Sequence, residues 1–185
     1  MNIVKKRDEC INKPIQKIIF VYSFDDENTE SLKADENVIF LNNLDEVDSK
    51  LTPGSLLIID DRSLESAGVN FKQVANYFLK LSSHGNVSII LILHRLFMGN
   101  AIRTISLSAC YLIHMKSPRD SSQLKCLSRQ VFPDNHNFLF SAYQLATSGG
   151  HTYIFIDLTQ DCPTSLRVRN SVFISKDTVI FKPSS

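Results

Sequence analysis

Only six glycines are spread through the 185 residues, and none is followed by lysine. The stretch therefore contains no GxxxxGK[ST] loop, the element whose backbone N–H groups and lysine cradle nucleotide phosphates. The four cysteines, Cys10, Cys110, Cys126 and Cys162, are widely scattered with no CxxC pair, so a structural zinc site is not expected. Charge of one sign is also missing. A formal net charge of +1 gives no global argument for nucleic acid or a membrane surface, and such binding would have to come from a local patch or from assembly of several subunits. The longest apolar stretch, Val87 to Leu93, suits a core strand and is far too short to span a bilayer. With no secretory leader and scattered thiols, the expectation is an intracellular protein with reduced cysteines and no membrane partner. No internal repeat or low-complexity segment is present.

What is present is a chain with 43% apolar and 21% charged residues, a balance expected of one globular domain spanning residues 1–185. Its organising stretch is Ser55-Leu56-Leu57-Ile58-Ile59-Asp60-Asp61. A run of four apolar residues predicts a strand buried on both faces of a parallel sheet flanked by helices. Two adjacent acids at its end have two readings. Asp60 caps a following helix with Asp61 solvated, or the pair forms a Walker B-type end in which one carboxylate holds Mg²⁺ and its neighbour orients an attacking water. Ligands of open α/β sheets bind at such carboxyl ends.

Around it, Ile18 to Tyr22, Val38 to Leu41, Val87 to Leu93, Ala109 to Met115 and Thr152 to Asp157 read as strands. Asp25 to Glu36 is an acidic connection of helical or irregular character, and Pro53-Gly54 breaks the chain before the central strand. Phe71, Val74, Ala75, Phe78, Leu79 and Leu81 recur at helical spacing and predict a helix over 71–83. Further helices are expected from Pro118 to about Gln130 and from Asn137 to Ala146. Leu166 to Ile174 and Thr178 to Phe181 read as an antiparallel pair. Arg103 to Ser108 is taken to lead into the strand at 109–115. Alternation of strands and helices gives an α/β class with a mainly parallel sheet.

The order of these elements, with His94-Arg95-Leu96-Phe97, Arg103-Thr104-Ile105-Ser106-Leu107-Ser108, Lys116-Ser117-Pro118-Arg119-Asp120, Ser141 to Thr147 and Tyr153-Ile154-Phe155-Ile156-Asp157, resembles the poxvirus-type DNA-packaging ATPases of the FtsK/HerA class, especially those of Polinton (Maverick) elements. The resemblance covers about residues 5–174. It implies a P-loop NTPase-like core, here without the N-terminal strand and phosphate loop, in a motor that uses ATP and Mg²⁺ to move double-stranded DNA into a capsid. Capsid or portal proteins and a homo-oligomeric ring are the implied partners. By position, Asp60 would bind Mg²⁺ and Asp61 would polarise water. Arg103 and Arg119 are candidates for a trans-acting finger or for phosphate contacts, since guanidinium is always charged and forked; the plainer reading of each is a surface or structural ion pair.

Departures from the family pattern accompany the matches. His94 stands where the family usually carries Gln as γ-phosphate sensor, and Ser108 where Asn is common. Asp120 would orient Arg119 or cap its helix, His84 would occupy the family's His-rich turn or be plain surface, and Phe97 and Tyr143 read as core aromatics. Three functional expectations follow: a packaging motor whose N-terminal part lies outside this chain, a non-catalytic scaffold or DNA-binding module derived from that fold, and a receiver-like α/β domain that binds Mg²⁺ for other chemistry. The chain as given is expected not to hydrolyse ATP.

Overall fold

A computed structural model describes residues 2–11, 14–22, 27–60, 71–84, 86–94, 99–117, 121–150 and 152–183. Contacts cluster into two compact units, Met1–Leu107 and Ser108–Ser185. In the first, two short helices, α1 (Asn2–Lys5) and α2 (Arg7–Cys10), precede strand β1 (Lys17–Val21), helix α3 (Glu27–Lys33), strand β2 (Val38–Leu41) and helix α4 (Val47–Lys50). Strand β3 (Ser55–Asp60), helix α5 (Phe71–His84), strand β4 (Ser88–Ile92) and helix α6 (Gly99–Ser108) follow. The strands form one sheet in the order β2-β1-β3-β4, and all three pairings are parallel. An α/β unit built on a four-stranded parallel sheet is what the apolar runs predict.

Side chains leave a strand alternately to its two faces, and both faces of this sheet are covered. Ile19, Val21, Leu57 and Ile59 enter one core cluster with Leu44 and Val47 before and within α4, Val74 and Ala75 of α5, and Ile102 and Ile105 of α6. Ile18, Phe20, Leu56 and Ile58 enter the opposite cluster with Val4 of α1 and Leu32 of α3. Leu56 to Ile59 are all essentially inaccessible to solvent, which is why this run shows no polar alternation. Helix α3, between β1 and β2, thus lies on one face, while α4 and α5, which lead to β3 and β4, lie on the other. Stepping outward in opposite directions from β1 with one crossover hand produces this division. It makes the carboxyl ends of β1 and β3 the topological switch point of the sheet.

The turn before β3 ties the opposite ends of three strands together. Gly54 has φ +85°, a left-handed conformation that glycine adopts without a Cβ clash. Its N–H donates to the Asn86 carbonyl at 2.9 Å, and its carbonyl accepts from Gln16 N–H at 3.2 Å. The buried Ser55 hydroxyl accepts from Thr52 N–H at 3.2 Å. A second tie joins α2 to the end of α3, where the Arg7 guanidinium lies 3.1 Å from the Asp35 carboxylate.

The second unit contains strand β5 (Tyr111–Met115), helices α7 (Ser121–Val131) and α8 (Phe138–Ala146), and strands β6 (Tyr153–Asp157), β7 (Val168–Arg169) and β8 (Ile180–Phe181). These strands form a separate sheet in the order β5-β6-β7-β8, antiparallel throughout. The parallel character of the first unit therefore does not extend into the second. Helix α8 lies against β6 and α7, and Ile154, Ile156 and Val168 are fully buried while Tyr111, Ile113 and Met115 of β5 remain exposed. Among the described residues, no helix is long and apolar enough to cross a membrane.

Candidate functional site

The carboxyl end of the parallel sheet brings two of the sequence-selected residues near one another. Asp60 is the last residue of β3 and is half-buried. It pairs in the ladder with Ile92, the last residue of β4, and the exposed His94 lies two residues further on. Asp60 shares strand parity with Leu56 and Ile58, so the pleat directs it toward the face that carries α1 and α3. It also stands at the switch point between β1 and β3. The position is formed because the Leu56–Ile59 run is held rigidly by both cores.

The other selected residues have different placements. Arg103 is exposed on α6, between Ile102 and the residues leading to Ile105, both of which point into the core. Ser108, the last residue of that helix, is exposed. Asp61, Arg119, Asp120 and Phe97 lie outside the described residues, and His84 ends α5. Tyr143 is a core aromatic, as expected: it is buried, its ring centroid lies 5.2 Å from that of His114, and its hydroxyl accepts from Ser117 N–H at 2.8 Å.

A Mg²⁺ ion in a nucleotide site takes one or two protein carboxylates and fills its remaining positions with phosphate oxygens and water. Among the described residues, no three His, Cys, Asp or Glu side chains converge as a metal site. Asp60 supplies one carboxylate at the sheet end, and the 185 residues contain no GxxxxGK[ST] sequence. What the arrangement offers chemically is an acid at the end of β3 and, two residues past the end of the neighbouring strand, an accessible imidazole, at the end of the sheet where α/β proteins take ligands.

Two polar pairs had no prominence in the sequence. In the second unit, Arg169 Nη2 lies 3.3 Å from Asp157 Oδ2 with both side chains largely buried, and its guanidinium sits 4.7 Å from the Phe155 ring centroid. Asp157 Oδ1 also accepts from Thr159 N–H and its hydroxyl, at 3.2 and 2.6 Å. The sequence signal is the final acid of Tyr153–Asp157 together with Arg167, just before β7, and Arg169 within it, and it becomes readable only with the strand pairing known. In the first unit, Tyr77 donates its hydroxyl proton to Asp48 Oδ2 at 2.9 Å. Burial and then that carboxylate push the Tyr77 phenol up to about 12. Asp48, Gln73, Asn76, Tyr77 and Lys80 line an open surface depression there.

Comparison with known proteins yielded no match: no family model, no curated protein and no solved structure matches the chain.

Proposed function

We propose that this chain is a packaging-ATPase-like α/β module that contributes a Walker B-type half-site and does not hydrolyse ATP on its own. The supporting observation is the place of Asp60, which closes an interior parallel strand at the switch point of the sheet, beside the strand that leads to His94. An acid there suits contact with a cation carried in by a nucleotide, with Asp61 following it in the chain. The counterpart needed for phosphate binding is missing from these residues. In this reading the binding partners are double-stranded DNA and capsid or portal proteins, as the sequence resemblance implies, and Arg103 and Arg119 serve phosphate contacts or reach a neighbouring subunit.

A second reading rests on the strand order. β2-β1-β3-β4 is also the order with which flavodoxin-like, receiver-type domains begin, and in that reading a carboxylate after β3 accepts a phosphoryl group. Incubation with Mg²⁺ and acetyl phosphate, followed by intact-mass measurement, separates the two. The half-site reading expects an unmodified chain. A single phosphoryl adduct that is lost in Asp60→Asn or Asp61→Asn would replace it with the receiver-type reading.

A further inference from the structure

Strand β4 has the sequence of an interior strand and the position of an edge. From Val87 to Leu93 there is no charged residue, no proline and no glycine. Both of its sides are used by the two cores, with Val87, Ile89, Leu91 and Leu93 in one cluster and Ile90 and Ile92 in the other. Among the described residues, β4 nevertheless pairs only with β3. All five of its residues stay half-buried, whereas Leu56 to Ile59 next to it are fully buried. Among the described residues, β3 has a strand on each side and β4 has one on one side only.

The opposite edge of the same sheet is treated otherwise. β2 is only four residues long and is bracketed by side-chain-capped turns, with Asp35 Oδ1 accepting from Asn37 N–H at 3.0 Å and Asn43 Oδ1 accepting from Asp45 N–H at 3.1 Å. Acids flank it on both sides, Asp35 and Glu36 before it and Asp45 and Glu46 after it. Shortness, bends and charge are the usual means of preventing edge-to-edge association. β4 is one residue longer, and the uncharged run around it extends from Val87 to Leu93 before His94 and Arg95.

We infer that the β4 edge pairs with the β4 edge of a second copy of this chain, antiparallel about a two-fold axis normal to the sheet, to give one continuous eight-stranded sheet. A row of backbone N–H and C=O groups is satisfied by another strand, which limits the occupant to polypeptide in extended form. The flanking apolar side chains require that strand to be apolar on both faces, and β4 is itself such a strand. A two-fold normal to the sheet preserves its faces, so each core abuts the matching core of the other copy and the contact is self-complementary. The stretch has no charge that such pairing would bury. This inference is independent of the nucleotide reading, since it uses neither Asp60 nor His94.

The test is the mass of the full chain by light scattering across a concentration series, with amide hydrogen exchange of residues 88–92 followed over the same series. The expected result is twice the 20.9 kDa chain mass at high concentration, with protection at 88–92 lost on dilution. Ser88→Lys places a charge on the edge at a half-buried polar position, where the lysine stem can lie along the surface. It is expected to give a folded monomer at concentrations where the unaltered chain is dimeric. A monomer at every concentration, or exchange at 88–92 indifferent to concentration, would overturn the inference. So would a folded Ser88→Lys chain that dimerises as well as the unaltered one. The exchange measurement on the unaltered chain decides the matter even where the substituted one does not fold.

Discussion

Asp60 stands opposite Ile92 in the parallel ladder between β3 and β4. This register places a carboxylate and, two residues beyond Ile92, an imidazole at the same end of adjacent strands. Three of the four strands are anchored at their other end by the Gly54 turn, whose backbone bonds reach Gln16 and Asn86. The geometry of the candidate site thus depends on hydrogen bonds a strand's length away.

Gly54→Ala tests that dependence. A Cβ at position 54 would meet nothing closer than 3.7 Å, so the expected cost is backbone strain at φ +85°, about 1–2 kcal/mol. Chemical denaturation should show a lower midpoint with an unchanged slope. An unaffected midpoint would mean that the turn carries no strain-sensitive conformation.

The Asp157–Arg169 pair gives a prediction for the second unit. Removing one partner leaves a buried charge without its counter-ion, so Arg169→Met alone should destabilise by about 3 kcal/mol. Adding Asp157→Leu should recover a large part of that loss, because an apolar pair of similar volume has no desolvation cost to offset. A double-mutant cycle by urea unfolding reads the coupling, expected at about 1–3 kcal/mol. Strictly additive effects would show that the contact contributes nothing specific.

Tyr77 sets an alkaline limit. Its folded-state value of about 12 lies above the ordinary 10, so the folded state retains a proton that the unfolded chain releases. The stabilisation is complete below about pH 10 and is lost as pH rises from 10 to 12. Tyr77→Phe should flatten that part of the stability curve and remove one late-titrating phenol from the ultraviolet titration. At neutral pH, loss of the Tyr77–Asp48 hydrogen bond should cost about 1 kcal/mol.

The elements most legible in the sequence are those whose burial is uniform. The Leu56–Ile59 run announced a strand covered on both faces, and Val74, Ala75 and their neighbours announced α5, although Leu79 of that pattern is exposed. Helix α6 was not legible. Ile102 and Ile105 carry its apolar contact, but Thr104, Ser106 and Ser108 are weak helix formers, so tertiary packing decides the segment. The expected strands at 166–174 and 178–181 shrink to Val168–Arg169 and Ile180–Phe181. The parallel pairing of β3 with β4 and the antiparallel pairing of β7 with β8 follow the expected directions, whereas the antiparallel pairing of β5 with β6 was not legible in two strands whose patterning is the same for either kind of neighbour. At the candidate site, Asp60 could be singled out because an acid ending an apolar run is locally visible. The Asp157–Arg169 contact joins residues twelve apart on paired strands and could not.

The central claim is that Asp60 and Asp61 belong to a half-site with no phosphate-binding partner in this chain. It is tested most directly by steady-state phosphate release from ATP with the purified 185-residue chain and Mg²⁺. The account predicts no turnover above background, and the same result for Asp61→Asn. Mg²⁺-dependent turnover by the unaltered chain that disappears in Asp61→Asn would contradict it.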